Sequence, residues 1–367
     1  MDSAATRRLL VTGAGTGISN NLIRSLVAGD PSLFVVGCHA DRFVLKKSPA
    51  KRNYLVPSFD HPDFVDSLCH IIDAERIDLL VPDHDPAVRT LAALRDRIPC
   101  RLLLPRTEVI ELCQDKYALT TFLRAHEIPA PLTYEVTDRA SVETIFQELT
   151  PSSPLWCRIR NGSGSRGATP VKSPEQAWAW ISYWQEMRRV PARDFTLSEF
   201  LPGRDFNVQG LWHEGNPVLL KMCERLSYFE GANRPSGMSS TPALAKTVLE
   251  PRALEVCIES VRKLDPSASG VFNFDLKEDA NGVACLTEIN AGRFAMITNI
   301  YDFTGTYNMA ATYVRLAFGE RLGIREVYDI AEEHYLVRDL DTEPGIFHID
   351  QLLEDFEGAA EHVCIAR

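Results

Sequence analysis

Basic residues are in short supply in this chain. Lys and Arg number 39 against 50 Asp and Glu, a formal net charge of −11 over 367 residues. Phosphate backbones demand a basic surface, so nucleic acid is excluded as a main partner, although a nucleotide needs only a local basic pocket. Cysteines number nine, but none is spaced CxxC, and Cys38, Cys157 and Cys285 fall in apolar strand-like runs. That pattern excludes a disulfide framework and a cysteine zinc site, and indicates buried free thiols in a reducing compartment. The nine histidines show neither HxxxH nor HExxH spacing. No apolar run approaches the length needed to cross a bilayer, and no apolar leader core follows the short polar start Met1–Arg8. A cytoplasmic protein with no membrane partner is expected. Hydrophobic content of 45% and charged content of 24% are ordinary for a globular chain long enough for two or three packed units.

A complete dinucleotide fingerprint is missing too. Arg8–Val11 reads as a strand, and GAGTGISNN leads from it into a helix with Leu22, Ile23, Leu26 and Val27 in its pattern. Gly13, Gly15 and Gly17 are present, but Ile18 stands where GxGxxG needs its third glycine. The second strand, Phe34–Gly37, runs into Cys38-His39 with no acid placed for a ribose. NAD is therefore not expected, and the glycines are read as a tight turn that bares a helix N-terminus. Phe64–Ile72 (helix), Ile77–Val81 (strand), Ala87–Leu94 (helix) and Arg101–Leu104 (strand) then alternate, which implies a parallel α/β sheet. Helices are expected over Asp115–His126 with Asp115 as N-cap, and over Ser141–Leu149, Pro174–Met187, Leu249–Leu264 and Tyr307–Phe318. Thr196–Leu201 reads as a strand, and Phe206–Trp212 with Pro217–Met222 as a hairpin. Glu224–Thr247, rich in Gly, Ser and Pro, reads as a long loop of functional character.

Two features carry chemistry. In VFNFDLKEDANGVACLTEIN (Val271–Asn290), alternating runs flank Asn281-Gly282, a hairpin signal. A turn there sets Asp275 opposite Glu288 and Asn273 opposite Asn290. One face then carries Asn273, Asp275, Lys277, Glu288 and Asn290, and the other Phe272, Phe274, Leu276, Cys285 and Ile289. Oxygen ligands without His or Cys suit Mg²⁺ that bridges to substrate phosphates; a solvated sheet face with one acidic pair is the alternative. The second feature, Arg158–Gly167 (RIRNGSGSRG), reads as strand, glycine-rich loop, strand. Gly162, Gly164 and Gly167 allow positive φ and bare backbone N–H groups, while Arg158, Arg160 and Arg166 add charge, a composition suited to polyphosphate. It is not a Walker A loop, since no Gly-Lys-Ser/Thr ends it; a plain flexible hairpin tip is the alternative.

In their order these motifs resemble the ATP-grasp superfamily, closest to its carbamoyl-phosphate-synthase-like branch, from Arg8 to about Phe318. LVTGAG resembles the substrate-side N-terminal domain, and Asp115-Lys116 followed by Ile128-Pro129-Ala130-Pro131 the entry to the grasp domain. RNGSGSRG resembles the phosphate-covering loop, SEFLPGRDF the adenine hinge, and NFDL with TEIN the two-metal site. The resemblance implies a fold of α/β and α+β class, an ATP-grasp fold with an N-terminal Rossmann-like parallel-sheet domain. The implied division is 1–112 for that domain, 113–195 for the small lid subdomain, 196–325 for the larger subdomain with the metal site, and 326–367 for a tail packed on the core. Lys116 and Arg158 would contact ATP phosphates, with Gly162, Ser163, Gly164 and Ser165 covering them. Glu199 and Leu201 would meet adenine, and Asp205 the ribose hydroxyls. Asp275, Glu288 and Asn290 would hold Mg²⁺, or Mn²⁺ in its place. Arg293 would steady the transferred phosphate, and Arg225 or Arg293 the charge at the reacting carbonyl. Gly292, between Ala291 and Arg293, departs from the common pattern.

The activity so implied is an ATP- and Mg²⁺-dependent ligase that activates a carboxylate as an acyl phosphate and joins it to an amine. The chain is too short for two tandem carbamoyl-phosphate-synthase halves and shows no glutaminase unit. A stand-alone carboxylate–amine ligase for amino-acid-like substrates is expected, with small-molecule partners and a homodimer as the base-rate assembly. A phosphorylating or carbamoylating enzyme and a non-catalytic ATP-binding regulatory module are the alternatives.

Overall fold

A computed structural model describes residues 6–149, 154–162, 164–239, 241–339 and 345–351. The chain opens with β1 (Arg8–Thr12), α1 (Gly17–Gly29), β2 (Phe34–His39), α2 (Arg42–Leu45), β3 (Arg52–Leu55), α3 (Phe64–Glu75), β4 (Leu79–Val81) and α4 (Asp85–Ala93). Its strands pair in parallel in the order β3-β2-β1-β4, as the alternation predicts. Arg101–Leu104 does not join as a strand; Arg101 alone bridges to Leu79. Pro99 and Pro105 bracket that run and remove N–H groups a ladder would need. The sequence reading missed α2, which Asp41 caps by accepting from Phe43 N and Val44 N, and the exposed edge strand β3. Gly13 (φ +65°) is required where it stands: a Cβ there would lie 1.9 Å from Asp83 Oδ2.

α5 (Thr107–Gln114) and α6 (Lys116–Ala125) lead into β5 (Thr133–Glu135), α7 (Arg139–Glu148), β6 (Leu155–Ile159), β7 (Thr169–Val171), α8 (Pro174–Arg188) and β8 (Phe195–Glu199). These four strands form an antiparallel sheet in the order β5-β8-β6-β7. β8 therefore pairs with the small subdomain although it lies almost wholly beyond residue 195. The rest of the chain supplies β9 (Asp205–His213), β10 (Asn216–Tyr228), β11 (Pro242–Thr247), α9 (Pro251–Leu264), β12 (Gly270–Glu278), β13 (Ala284–Ala291), α10 (Thr298–Thr304), α11 (Met309–Ala317), β14 (His334–Val337) and β15 (Gly345–His348). Their sheet is antiparallel, in the order β13-β12-β9-β10-β11-β14-β15. Part of the expected tail thus extends this sheet, whereas 352–367, with Cys364, lie outside the described residues.

The expected loop Glu224–Thr247 is corrected by the structure. β10 runs on to Tyr228 and pairs with β11, so the irregular connection is confined between Tyr228 and Pro242. Its polar residues belong in a strand because each finds a partner: Glu224 sits opposite Lys246, and Arg225 and Tyr228 both reach Asp205 on β9.

Apolar packing divides the molecule unevenly. One core joins Leu10 and Val36 of the parallel sheet to Phe206 and Phe272 of the large sheet. Another joins Leu9 and Val11 to Val271, Phe294 and Tyr313. The small subdomain keeps a core of its own, built from Val142, Ile145, Cys157, Ile181, Phe195 and Leu197. The first and last sheets are therefore one body, and the small sheet is a separate flap against it.

Gly292 lies at the seam of that body. It adopts φ +90°, donates its N–H to Val271 O at 2.8 Å, and a Cβ there would lie 2.8 Å from Val88 Cγ1 and 3.0 Å from Leu104 Cδ2. Gly292→Ala is expected to lower the free energy of unfolding by about 1–3 kcal/mol from backbone strain alone. Urea denaturation measures this, and an unchanged midpoint would contradict the requirement for glycine.

Candidate active site

The β12–β13 hairpin sets the site. Asp275 pairs with Glu288 and Asn273 with Asn290, the register read from the sequence. The route to it differs. The turn spans Asp279–Val283, with Glu278 opposite Ala284, and Thr287 is an extra bulged residue between Leu286 and Glu288. The bulge restores the pairing at the site and inverts it nearer the turn. Cys285 accordingly pairs with Lys277, not on the apolar face assigned to it, and Leu286 takes the apolar place opposite Leu276. Thr287 Oγ1 fixes the bulge by donating to Asp275 O at 2.9 Å.

Above this face lies a cavity of about 310 Å³. It is lined by Lys116, Arg158, Gly162, Gly164, Ser165, Glu199, Leu201, Asp205, Arg225, Asp275, Glu288, Asn290 and Arg293, every site residue expected from the sequence except Ser163, which lies outside the described residues. The chain adds Trp156 and Phe200 near the hinge, Asn207, Asn273 and Lys277 on the sheet, and Ile18, His84 and Asp85 from the first domain. Those last three were not among the site residues assigned from sequence, because only tertiary packing carries α1 and α4 to the hairpin.

Cations from four separate elements converge on the polar face. Lys116 opens α6, whose N-cap Asp115 accepts from Tyr117 N and Ala118 N. Its Nζ donates to Gly162 O at 2.5 Å and lies 3.6 Å from Glu288 Oε2. Arg158 on β6 is buried, donates to Thr287 O at 3.2 Å, and leaves its Nε with no partner among the described residues. Burial lowers its pKa, while Glu288 and Asp275 act to raise it. Arg225 on β10 donates through Nε to Asp205 Oδ1 at 2.8 Å and through Nη1 to Asp275 Oδ1 at 2.9 Å. Burial disfavours this charge, but the two carboxylates hold its pKa well above the usual value. Arg293 grips Asp85 with Nε at 2.5 Å and Nη2 at 3.1 Å, and Nη2 also reaches Asn290 Oδ1 at 2.5 Å. The left-handed turn at Gly292 brings Arg293 to this position.

These pairings change two assignments in detail. Asp205 has both oxygens engaged, Oδ1 by Arg225 and Oδ2 by the Tyr228 hydroxyl. Asn290 has given its amide oxygen to Arg293, whereas Asn273 Oδ1, across the pair, is buried and has no partner among the described residues. The chain's own guanidinium and ammonium groups neutralise this acidic face.

The face suits Mg²⁺. Among the described residues no three Asp, Glu, His or Cys side chains converge as a ready cage. The donors are two carboxylates, Asp275 and Glu288, with the orphaned oxygen of Asn273 beside them and no nitrogen or sulfur ligand. Mg²⁺ is commonly held by one or two carboxylates with substrate phosphates completing the shell, so this hard, incomplete set fits it.

Two loops close the cavity. Gly162 and Gly164 take positive φ with open space around them, and Gly167 O accepts from Trp180 Nε1 at 3.0 Å. The guanidinium of Arg166 lies over the Trp184 ring at 5.6 Å. Arg234, in the β10–β11 connection, donates to Gly164 O at 3.1 Å and so ties one loop to the other.

No protein-family model and no curated protein matches the chain. Solved structures do. The biotin carboxylase domain of Hydrogenobacter thermophilus 2-oxoglutarate carboxylase, with MgADP, ADP and bicarbonate, matches with a TM-score of 0.69 and 15% identity over 90% of this chain and 73% of that one. L-amino acid ligase from Bacillus licheniformis matches with a TM-score of 0.67 and 15% identity over 91% and 79%. Carboxyaminoimidazole ribonucleotide synthase from Aspergillus clavatus, complexed with ATP, matches with a TM-score of 0.69 and 15% identity over 90% and 82%. These are ATP-grasp enzymes, and this chain has the ATP-grasp fold.

Arg225 is the keystone of the ion pairing. Arg225→Ala leaves Asp205 and Asp275 without their shared cation, and is expected to lower the free energy of unfolding by about 3–5 kcal/mol. Millimolar Mg²⁺ should restore part of that stability, because a metal can take the vacated place between oxygens. Denaturation with Mg²⁺ and with an equal ionic strength of NaCl separates the two effects; equal recovery in both would reject metal binding at this face.

Proposed function

We propose that this chain is an ATP- and Mg²⁺-dependent ligase that activates a carboxylate as an acyl phosphate and joins it to an amine. The observation that carries this reading is the makeup of the large cavity. Its acids are Asp85, Glu199, Asp205, Asp275 and Glu288, and its cations are Lys116, Arg158, Arg166, Arg225, Lys277 and Arg293. A cavity with a positive excess in a chain of net charge −11 is built for an anion. The aromatic Trp156 and Phe200 beside Leu201 give it an apolar end for a base, and the hard-oxygen face gives it a metal end for phosphates.

Each residue then has a task. Glu199 holds the end of β8 by accepting from Leu132 N at 2.7 Å, and the backbone past that strand, at Phe200 and Leu201, is left to meet the base. Asp205, once released by Arg225 or Tyr228, accepts from the ribose. Lys116 and Arg158 neutralise the γ-phosphoryl oxygens, and the loop at Gly162, Gly164 and Ser165 covers them. Mg²⁺ bound at Asp275 and Glu288 supplies charge neutralisation of the phosphate oxygens. A carboxylate oxygen of the acid attacks the γ-phosphorus, the bond to the β,γ-bridging oxygen breaks, and ADP leaves. The amine nitrogen then attacks the acyl carbon. The C–O bond to phosphate breaks with its electron pair, the nitrogen's proton passes to the departing phosphate, and an amide remains. Arg293, poised beside Asn290, stabilises the oxyanion formed on the way. Closure of the two loops tied by Arg234 keeps water from the acyl phosphate.

The decisive measurement is ADP and phosphate release that requires both an acid and an amine, with an amide found by mass spectrometry. Glu288→Gln is expected to reduce ADP production by about two orders of magnitude or more, as for loss of a group stabilising charge in the transition state. Its unfolding midpoint should stay near that of the parent, because Glu288 is partly exposed and paired only loosely with Lys116. Near-parental turnover in that variant would sink the metal assignment.

A further inference from the structure

We infer that the acid activated by this chain is a monocarboxylate with an uncharged, apolar body, and not a dicarboxylate or a polyamine conjugate. The inference rests on the ligase reading, and it follows from how charge is distributed along the cavity.

β12 is the ruler. Lys277, Asp275 and Asn273 project from one face at alternate positions, so at a rise of ~3.3 Å per residue they mark about 13 Å of cavity floor. Lys277 pairs with Asp205 next to the hinge, which fixes the nucleotide end. Asn273 pairs with Gln209, whose Oε1 accepts from Ala295 N at 2.8 Å. The segment Ala295–Ile297 therefore lies at the opposite end, beyond the metal face, where an acid must sit to meet the γ-phosphate.

That end is apolar. Ala295, Met296 and Ile297 line it together with Ile18 of α1. α1 packs directly on Met296: a Cβ at Gly17 would lie 2.5 Å from Met296 Cε, and Asn21 Nδ2 donates to Met296 O at 2.7 Å. The backbone of Met296 is thus pinned, and Asn21 Nδ2 also reaches its Sδ at 3.5 Å, so α1 holds the thioether as an apolar wall of this end.

The charged side chains that line the cavity at this end are paired, whereas Arg338, which does not line it, keeps a buried Nη1 without a partner among the described residues. Arg293 is the cation placed to receive one carboxylate, and it is held by Asp85 and Asn290. Lys277 stands at the hinge end and Arg166 stacks on Trp184 in the flap, so neither serves a second carboxylate here. Arg338 reaches Met296 O at 3.2 Å from behind and, like Arg24, does not line the cavity. Of the nearby acids, Asp85 is taken by Arg293, and buried Asp83 accepts from Thr12, Thr16 and His84. A second charge on the substrate, of either sign, would be desolvated against Ile18 and Met296 without a partner.

The test uses hydroxylamine to capture the acyl phosphate whatever the natural amine. The full chain is incubated with ATP, Mg²⁺, hydroxylamine and one acid at a time: 4-methylpentanoate, hexanoate, glutarate or 6-aminohexanoate. Hydroxamate from the two uncharged-body acids should exceed that from glutarate and 6-aminohexanoate by about tenfold or more, the scale on which side-chain pockets discriminate. Met296→Lys, which places a cation at this end, should shift the glutarate-to-4-methylpentanoate ratio toward glutarate by about as much. Melting temperature with each acid, Mg²⁺ and a non-hydrolysable ATP analogue gives a second readout. Preferential hydroxamate from glutarate or 6-aminohexanoate overturns the inference and leaves the ligase reading standing. Thermal stabilisation by 4-methylpentanoate that is lost in Met296→Lys, with no hydroxamate from any acid, upholds the apolar character of this pocket end and overturns the ligase reading. No trapping and no stabilisation by any apolar acid overturns the inference.

Discussion

Carboxylates withdrawn from water need a cation within reach, and that requirement organises this molecule. Asp85, Asp205, Asp275 and Glu288 lie around one cavity, and three cations from three different stretches of chain meet them, Asp205 and Asp275 sharing one. Lys116 comes from the start of α6, Arg225 from β10, and Arg293 from the turn after β13. The first domain is tied to the large sheet by the Asp85–Arg293 grip as well as by apolar packing. On the proposed function, the same pairs that close the fold occupy the atoms a nucleotide and its metal would engage, and ligand binding at this face would be an exchange of partners, in which charge neutralisation is conserved and only its source changes.

The exchange has a mechanical counterpart. The flap carrying Arg158 and the glycine loop has its own core, and it meets the main body through polar contacts such as Arg158 to Thr287 O, Arg234 to Gly164 O and the Arg160–Asp115 pair at the start of α6. Such contacts can be remade at low net cost, since each hydrogen bond lost to the protein is replaced by one to water or ligand. The buried sheet beneath does not have to move.

Much of the site is legible in the sequence, for a physical reason. Period-two alternation around Asn281-Gly282 fixes which side chains of a hairpin share a face, so the Asp275–Glu288 pair follows from local pattern alone. Gly and Arg spacing singles out, in the same local way, the loop whose Gly162, Gly164, Ser165 and Arg166 line the cavity. What is not legible depends on contacts across long stretches of chain. Arg293 and Asp85 are far apart in sequence, and neither signals the other. Tyr228 looks like loop because its strand is polar; only its bond to Asp205, on β9, explains why the backbone stays extended there. The short elements α2 and β3 lack an apolar stripe, and α10, packed through Ile300 and Tyr301 against Cys223, Ala245 and Leu336, shows too little polar contrast for a period to stand out. Thr287 is invisible for a different reason: a bulge leaves no compositional mark when the residue is an ordinary β-former.

That bulge separates the site from its own turn. The strands leave Asp279–Val283 one residue out of step with the pairing at Asp275 and Glu288, and Thr287 absorbs the difference. The register at Asp275 and Glu288 is therefore set apart from the register beside the turn, with the slack taken up at a single position. A hairpin with continuous pairing has no such clutch, and in it any insertion at the tip would be transmitted straight to the groups that matter.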